Sequence, residues 1–133
     1  MATLTQLTAK EHRHFNFQPQ AVVEFARQLH VVNLRVAEIP QAVSSLPVVF
    51  SKHGATGQWL VSGITSLEQG HNMFVDDSAW SSTYEPLMTR TYPFYFMQSP
   101  DNPKQYVMGF DAGSSALTEE AGVALFDLSL IHI

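Results

Sequence analysis

Two strand-like runs separated by a glycine-containing turn place the strongest constraint on how this chain can fold. Residues 48–52 and 58–66 are rich in Val, Phe, Leu, Ile and Trp, and residues 54–57 read Gly-Ala-Thr-Gly. Glycine takes the positive φ angles of tight turns more easily than any other residue. The sequence therefore predicts a β-hairpin here, and a further strand over residues 71–75 would complete a meander.

The rest of the chain predicts short helices and a second hairpin. Helices are expected over residues 20–29, 40–46 and 84–91 and after Thr118, strands over residues 30–37, 94–97 and 106–111, and an extended arm over residues 1–19. The apolar face of the first of these strands would comprise Val32, Leu34, Val36 and Glu38. The expected fold class is α+β, a mostly antiparallel sheet built from hairpins with three or four short helices. A chain of 133 residues is expected to form one domain.

Charge and composition exclude several classes of partner. The formal net charge is −5 and the seven Lys and Arg residues are scattered singly, so no basic patch for nucleic acid is expected. The chain contains no cysteine, which excludes disulfide bonds and thiolate zinc sites. Its longest apolar runs are about five residues, whereas a membrane-spanning helix needs about 20. Residues 1–17 lack the apolar core of a Sec signal peptide, which predicts a cytoplasmic location.

The stretch Gly-His-Asn-Met-Phe-Val-Asp-Asp-Ser-Ala-Trp, residues 70–80, contains the best candidates for a reactive site. His71, Asp76 and Asp77 could form a metal or acid/base centre if they converged on one point. Adjacent side chains on a strand point to opposite faces, however, and aspartate often accepts hydrogen bonds from its own turn. The other interpretation is therefore a turn, in which one aspartate accepts backbone hydrogen bonds and its neighbour caps the residues up to Trp80.

No cofactor, metal ion or catalytic residue is predicted from the motifs in the chain. His12 and His14 form an H-x-H pair, but the other histidines lie in separate segments. A transition-metal site needs a third and usually a fourth ligand. Residues 52–57 combine a lysine with two glycines, but in a phosphate-binding loop the lysine follows the last glycine. The motifs thus favour a protein that is not an enzyme.

Aromatic residues concentrate between residues 80 and 96, and we divide them into core and surface candidates. Phe94, Phe96 and Trp80 are expected in the core, because large rings in a small fold usually bury their apolar area there. Tyr92 and Tyr95 are the candidates for an exposed binding surface.

Three blocks of sequence carry a family resemblance. They are LPVVFSKHGATGQWLVSGI at residues 46–64, NMFVDDSAWSSTYEPLMTRTYPF at residues 72–94 and SSALTEEAGVALFD at residues 114–127. In these blocks the chain resembles the N-terminal half of the bacterial SapC-like family. The resemblance implies a part in a surface layer, and hence a place at the cell surface, and it brings no catalytic motif. Its matching positions are mainly turn formers and large apolar residues, which is typical of a scaffold.

The resemblance also implies that the chain is part of a longer protein. Family members continue after Asp127, whereas this chain ends in Leu-Ser-Leu-Ile-His-Ile, residues 128–133, which resembles a translated sequencing adapter. We therefore expect residues 1–127 to be a partial SapC-like domain and residues 128–133 to be a non-native tail. Apolar surface that the missing half would cover should then make this chain associate or precipitate.

The function that the resemblance implies is that of a surface-layer-related or accessory protein, non-enzymatic, acting by protein or glycan contact through its sheet. The alternative is a cytoplasmic enzyme or small-molecule-binding protein whose site is completed by the missing C-terminal half. His71, Asp76 and Asp77 would be the share of this chain in that site. The two hypotheses differ in geometry, because a reactive site needs these three side chains to converge around a cavity.

Overall fold

The structure is a computed structural model that describes residues 3–120 and 122–126. Over these residues the chain forms nine strands and four short α-helices, and the strands make three antiparallel sheets of three strands each. The helices are α1 (Ala9–His12), α2 (Pro19–Arg27), α3 (Ile39–Ala42) and α4 (Leu87–Arg90), with a 3-10 turn at Val36–Glu38. The strands are β1 (Leu4–Gln6), β2 (Asn16–Phe17), β3 (Val31–Leu34), β4 (Val48–Lys52), β5 (Trp59–Ile64), β6 (Phe94–Gln98), β7 (Tyr106–Asp111), β8 (Leu117–Thr118) and β9 (Val123–Ala124). The predicted α+β class with antiparallel hairpins and short helices is confirmed, although the strands are divided among three sheets.

The chain divides into two compact units. The central unit is residues 23–90 and contains the sheet with strand order β3-β5-β4. The terminal unit combines residues 1–22 with residues 91–133, and its two sheets have the strand orders β1-β7-β6 and β8-β2-β9. The sheets of the terminal unit therefore pair the beginning of the chain with its later part.

The predicted hairpin of β4 and β5 is present in the central unit. Its strands pair with Phe50 opposite Val61, and Gly57 closes the turn with a φ of 71°. The third strand of this sheet is β3, so the predicted meander through residues 71–75 is wrong. In that segment the carboxamide oxygen of Asn72 accepts a hydrogen bond of 2.9 Å from the backbone two residues later. Such local hydrogen bonds compete with strand pairing.

The core of the central unit is formed by side chains of β3, of α3 and of the turn that follows α3. Its buried apolar residues are Val32, Leu34, Ala42 and Leu46. Gly63 of β5 lies against this core, and a Cβ at that position would be 2.9 Å from Cδ1 of Leu46. The absence of a side chain therefore lets the sheet approach the residues packed on it.

The predicted apolar face of β3 is correct only in part. Val32 and Leu34 are buried, but Val36 is exposed. The strand ends at Leu34 and the chain continues as a 3-10 turn, so the alternation of faces stops. Glu38, which the alternation also placed on this face, is buried.

Residues 3–19 do not form the extended arm that the sequence predicts. β1 pairs with β7, with Thr5 opposite Phe110, and β2 pairs with both β8 and β9. Between these two strands the hydroxyl of Thr8 caps α1 by accepting a hydrogen bond of 3.3 Å from the N–H of Glu11. Partners far along the chain thus give these residues an order that their local pattern does not encode.

The second predicted hairpin, β6 with β7, is confirmed in the terminal unit, with Phe96 opposite Met108. The helix predicted after Thr118 is wrong over its described residues, because Val123–Ala124 form β9, which pairs with β2. Pairing with β2 therefore outweighs the local helical pattern after Thr118. The predicted tail at residues 128–133 lies outside the described residues.

A cluster of rings packs on one face of the β6–β7 hairpin. Phe110 is buried, and its ring centroid lies 4.9 Å from that of His12 and 5.8 Å from that of Phe15. Phe94, which lies opposite Phe110, is 6.2 Å from Phe17 between ring centroids. Edge-to-face and tilted ring pairs at these distances are favourable, so this cluster stabilises the terminal unit.

Candidate functional site

Residues 70–80 form a turn at the surface of the central unit. His71, Asp76 and Asp77 are all exposed. Oδ1 of Asp76 accepts hydrogen bonds from the N–H groups two and three residues later, each at 3.0 Å, and from the hydroxyl of Ser78 at 3.2 Å. This carboxylate therefore holds its own turn, which is the local role that the turn interpretation gives to one of the two aspartates.

The same hydrogen bonds set the acidity of Asp76. The N–H groups of Ser78 and Ala79 lower the pKa of Asp76, desolvation opposes them, and the Ser78 hydroxyl and the Arg27 guanidinium lower it further. An ionised carboxylate engaged with its own turn is poorly placed to take a proton from a substrate. Within the described residues, no group of three or more His, Asp or Glu side chains is suited to hold a metal ion. A role for the three candidates in a site completed by other residues stays a prediction.

The buried polar side chain of this segment is Asn72, which lies between two exposed residues, His71 and Met73. Its Nδ2 donates to the carbonyl oxygen of Ala26 at 2.9 Å, and its Oδ1 accepts from the N–H of Phe74 at 2.9 Å. Asn72 thus ties the last turn of α2 to the residues that precede the aspartates. A single asparagine in a mixed segment carries no periodic signal, so the sequence does not mark it.

A second buried polar group, the carboxylate of Glu38, joins three parts of the central unit. Glu38 is 3% exposed. Its Oε2 accepts from the N–H of Arg35 at 2.7 Å, while its Oε1 accepts from the hydroxyl of Tyr84 at 2.6 Å and from the N–H of Leu87 at 2.7 Å. The last bond caps the start of α4.

These contacts shift the pKa values of Glu38 and Tyr84. Burial raises the pKa of Glu38, but the hydrogen bonds from Arg35, Leu87 and Tyr84 and the charge of Arg35 outweigh it, so the net pKa is lowered. Burial and the neighbouring Glu38 carboxylate raise the pKa of Tyr84 to about 12, against a smaller opposing effect of Arg90. At neutral pH the pair is an ionised carboxylate bonded to a neutral phenol, which is an anchor rather than an acid/base couple.

A sequence signal for Glu38 does exist. The strand-period alternation places this carboxylate in line with Val32 and Leu34, the two buried residues of β3. A charged side chain in an apolar phase requires partners if it is buried, because an unpaired buried charge is costly. That pattern indicates a structural carboxylate, although it does not identify Tyr84 and Leu87 as the partners.

Next to this anchor the central unit has an open depression of about 400 Å³. It is lined by Gln41, Ser44, Thr83, Tyr84 and Arg90. Tyr84 belongs both to the lining and to the bonded pair with Glu38, so its ring is fixed in place. The lining combines one cationic side chain with neutral hydrogen-bonding groups, and the sequence analysis identified none of them as a site.

The structure reverses the predicted placement of two aromatic residues of the terminal unit. Tyr92, a candidate for the exposed binding surface, is 7% exposed, whereas Phe96, expected in the core, is 72% exposed. The rings around Phe110 cover only one end of the β6–β7 face, and Phe96 lies further along it, opposite Met108. Which residues of a strand are covered depends on distant segments, so aromatic content alone does not decide it.

The other three aromatic residues, Phe94, Tyr95 and Trp80, are all half-buried. Burial raises the pKa of Tyr95, and so do its neighbours Tyr92 and Asp111. Trp80, expected in the core, lies at the margin of the central core and stacks on Phe74 with 5.9 Å between ring centroids. Its buried indole N–H has no hydrogen-bond partner among the described residues.

In each unit, one face of a sheet is covered at one end and carries exposed aromatic rings at the other end. In the central unit, Phe50 is 70% and Trp59 is 69% exposed, and the Lys52 ammonium lies 5.9 Å from the centroid of the Trp59 ring. Because residues opposite each other share a face, as do alternate residues of one strand, Phe50, Lys52 and Trp59 share the face of Val61. We call these three residues the central tip.

The corresponding surface of the terminal unit is the terminal tip, which consists of Phe96, Tyr106 and Met108. All three residues are exposed. Phe96 lies opposite Met108, and Tyr106 is two residues from Met108 on the same strand, so the three side chains share one face. The sequence predicted Tyr92 and Tyr95 as the exposed residues of this hairpin and Phe96 as a core residue, so it did not mark the terminal tip.

Within the described residues, none of the helices has the length and apolar character needed to cross a membrane.

Comparison with known proteins gives a match to a protein family. Neither the curated proteins nor the solved structures contain a match to the chain. The family model described as SapC matches residues 7–129, which is most of the 133-residue chain. The resemblance inferred from the three sequence blocks is thereby confirmed, and the chain belongs to the SapC family.

Proposed function

We propose that this SapC-family protein is a surface-layer-related or accessory protein that is not an enzyme and acts by contact with protein or glycan. The contact surfaces are the central tip and the terminal tip. The compartment that suits this role is the cell surface, where surface-layer proteins meet one another and the envelope glycan.

The observation that carries the proposal is the exposure of large apolar side chains at one end of both principal sheets. Phe50 and Trp59 in the central tip and Phe96 in the terminal tip are each about 70% exposed. Burying one such side chain contributes about 1.5–3 kcal/mol. Aromatic residues and methionine are enriched where proteins contact partners, and clustered exposed apolar groups mark such surfaces.

The chemistry of the two tips suits contact rather than catalysis. The central tip has a lysine ammonium over a tryptophan ring, and the terminal tip has a tyrosine hydroxyl beside a phenylalanine and a methionine. Rings with a polar edge can pack against apolar surface and still hydrogen-bond at their margin. Such surfaces can bind a second protein or the faces of sugar rings.

The test uses the full chain and two binding assays. Co-sedimentation with purified peptidoglycan sacculi measures glycan contact, and sedimentation equilibrium of the protein alone measures contact between copies. The variants are Phe50→Thr with Trp59→Thr for the central tip and Phe96→Thr with Met108→Thr for the terminal tip. Val36→Thr with Leu67→Thr is the matched control, because both residues are exposed and belong to neither tip.

We expect at least one assay to show binding, and at least one tip variant to weaken it about tenfold or more, since two buried large apolar side chains contribute more than about 1.4 kcal/mol. The control variant should bind as the native chain does. Binding that none of the tip variants weakens would contradict the proposal, and so would the absence of binding in both assays.

A further inference from the structure

The open depression of the central unit is built from two separate stretches of the chain, residues 41–44 and 83–90. Gln41 comes from α3, Ser44 from the turn after it, Thr83 and Tyr84 from the loop before α4, and Arg90 from the last turn of α4. The Glu38 carboxylate bonds both to the Tyr84 hydroxyl and to the first N–H of α4. The lining is therefore held by a buried anchor and not only by surface loops.

Arg90 brings a positive charge to this depression. Its side chain is exposed, and among the described residues it takes part in no salt bridge. The buried carboxylate of Glu38 already accepts three hydrogen bonds, from Arg35, Tyr84 and Leu87. The guanidinium thus has its donors available, and a guanidinium binds a carboxylate through two parallel N–H bonds.

The remaining lining residues supply neutral polar groups. Gln41 has a carboxamide and Thr83 a hydroxyl, and the Ser44 hydroxyl donates to the Gln41 carbonyl oxygen at 2.8 Å, which leaves its own oxygen free to accept. The Tyr84 ring adds an apolar surface, and its hydroxyl already donates to the Glu38 carboxylate. One cation, several neutral donors and acceptors and one ring fit a small ligand with one carboxylate and several hydroxyl groups.

We propose that this depression binds a hexuronic acid unit, with Arg90 paired to the ligand carboxylate and with Gln41, Ser44 and Thr83 bonded to its hydroxyl groups. A volume of about 400 Å³ is within the range of small-molecule sites. The unit can be a free acidic sugar or one residue of an acidic polysaccharide, because both present the same groups. This site is separate from the two tips and does not rest on contact through them.

The test is a titration of the ¹⁵N-labelled full chain followed by amide chemical shifts. The probes are D-glucuronate, D-glucose, acetate and a short oligouronate. Arg90→Gln removes the charge and Arg90→Lys keeps it without the fork of donors. Arg13→Gln is the matched control, since Arg13 is an exposed arginine of the terminal unit. The amide spectrum of each variant also reports whether it is folded.

We expect D-glucuronate or the oligouronate to shift the amides around residues 41–44 and 83–90 in a saturable manner. Arg90→Gln should weaken this binding about tenfold, as loss of a charge-assisted pair implies, Arg90→Lys should weaken it less, and Arg13→Gln should leave it unchanged. Glucose and acetate should each bind about tenfold more weakly than the uronate that binds, because glucose lacks the carboxylate and acetate lacks the hydroxyl groups. Saturation by the monomer points to a free sugar, and saturation by the oligouronate alone points to a polysaccharide.

The proposal is overturned if neither uronate binds, if a folded Arg90→Gln binds as the native chain does, or if glucose or acetate binds as well as the uronate that saturates the site. Loss of binding by the tip variants in the sacculus assay has no bearing on these outcomes. The two proposals can therefore fail separately.

Discussion

The central and terminal units are built on similar sheets but are stabilised by different chemistry. In the central unit, Glu38 and Asn72 are buried polar side chains that link segments distant in sequence by directional hydrogen bonds. In the terminal unit, the ring of Phe110 packs against His12 and Phe15. Hydrogen bonds to a buried carboxylate depend on single atoms and on pH, whereas ring packing depends on volume.

This difference predicts which kind of substitution should destabilise each unit. In the central unit, removal of the Glu38 carboxylate would leave several hydrogen-bond donors without an acceptor, so a small change should cost much free energy of unfolding. In the terminal unit the same cost requires the loss of a whole ring. Four changes, taken from the largest expected effect to the smallest, can break or refine the comparison.

The largest effect is expected from Phe110→Ala in the terminal unit. Loss of a buried phenylalanine ring lowers the free energy of unfolding by about 3–5 kcal/mol, because apolar contacts are lost and a cavity remains. Urea unfolding followed by far-UV circular dichroism measures the change. Phe96→Ala is the matched control, since the same ring is removed from an exposed position of the same hairpin face, and it should cost less than about 0.5 kcal/mol. Equal losses for the two variants would refute the assignment of core and tip.

The next effect is expected from Glu38→Ala in the central unit. The Tyr84 hydroxyl and the N–H groups of Arg35 and Leu87 lose their acceptor, which should cost about 3 kcal/mol. Both tryptophans, Trp59 and Trp80, lie in residues 23–90, so tryptophan fluorescence during urea unfolding reports on this unit.

Glu38→Gln keeps one carbonyl oxygen as an acceptor and should cost less than Glu38→Ala. Glu68→Ala is the matched control, because Glu68 is exposed, and it should change the free energy of unfolding by less than about 0.5 kcal/mol. A Glu38→Ala variant as stable as this control would show that the carboxylate does not anchor the unit.

A smaller effect is expected from one added methyl group in the central core. In Gly63→Ala the new Cβ would lie 2.9 Å from Cδ1 of Leu46 and 3.3 Å from Cγ2 of Val32. Both neighbours are buried, so overpacking should cost about 1–3 kcal/mol. Gly109→Ala in the terminal unit should cost less, because the atom closest to its new Cβ is Sδ of Met97 in a flexible side chain, and the backbone carbonyl oxygen of Thr5 lies further away at 3.2 Å. Comparison of the two urea midpoints checks this order, and the reverse order would contradict it.

The smallest effect concerns acid pH. Because the folded-state pKa of Glu38 is lowered from its ordinary value of 4.5, its ionised form stabilises the fold at higher pH. This contribution is fully present above pH 4.5 and is lost as the pH falls through the lower folded-state pKa. Urea midpoints between pH 3 and pH 7, read by tryptophan fluorescence, should therefore fall toward acid more steeply for the native chain than for Glu38→Gln. If the urea midpoints of the native chain and of Glu38→Gln fell equally toward acid pH, Glu38 would not be a source of the acid sensitivity.

Local patterns in the sequence predict the parts of the fold that are held by near neighbours. The β4–β5 and β6–β7 hairpins and helix α2 follow from strand or helix periodicity together with turn residues, and all three are present. β1 and β2 were missed because their partners, β7 to β9, lie near the other end of the sequence. The same distant pairing explains why the helix predicted after Thr118 does not form over the described residues.

Long-range effects also decided what the sequence revealed of the candidate sites. The hydrogen bonds that Asp76 makes to its own turn are local, and the sequence predicts them. The depression around Arg90 is assembled from two distant stretches of the chain, residues 41–44 and 83–90, and no motif joins them. The exchange of Tyr92 and Phe96 between surface and core depends on which rings cover the β6–β7 face, and strand periodicity contains no information on that cover.

The most direct test of contact through the two tips is hydroxyl-radical labelling of the full chain, free and bound to sacculi or to its own copies, with oxidation of each aromatic side chain read by mass spectrometry. Trp59 and Phe50, or Phe96 and Tyr106, should be oxidised rapidly in the free protein and should be protected in the bound state. Exposed residues outside the tips, such as Met73, should be oxidised equally in both states. Unchanged oxidation of both tips in a demonstrably bound protein would contradict the account.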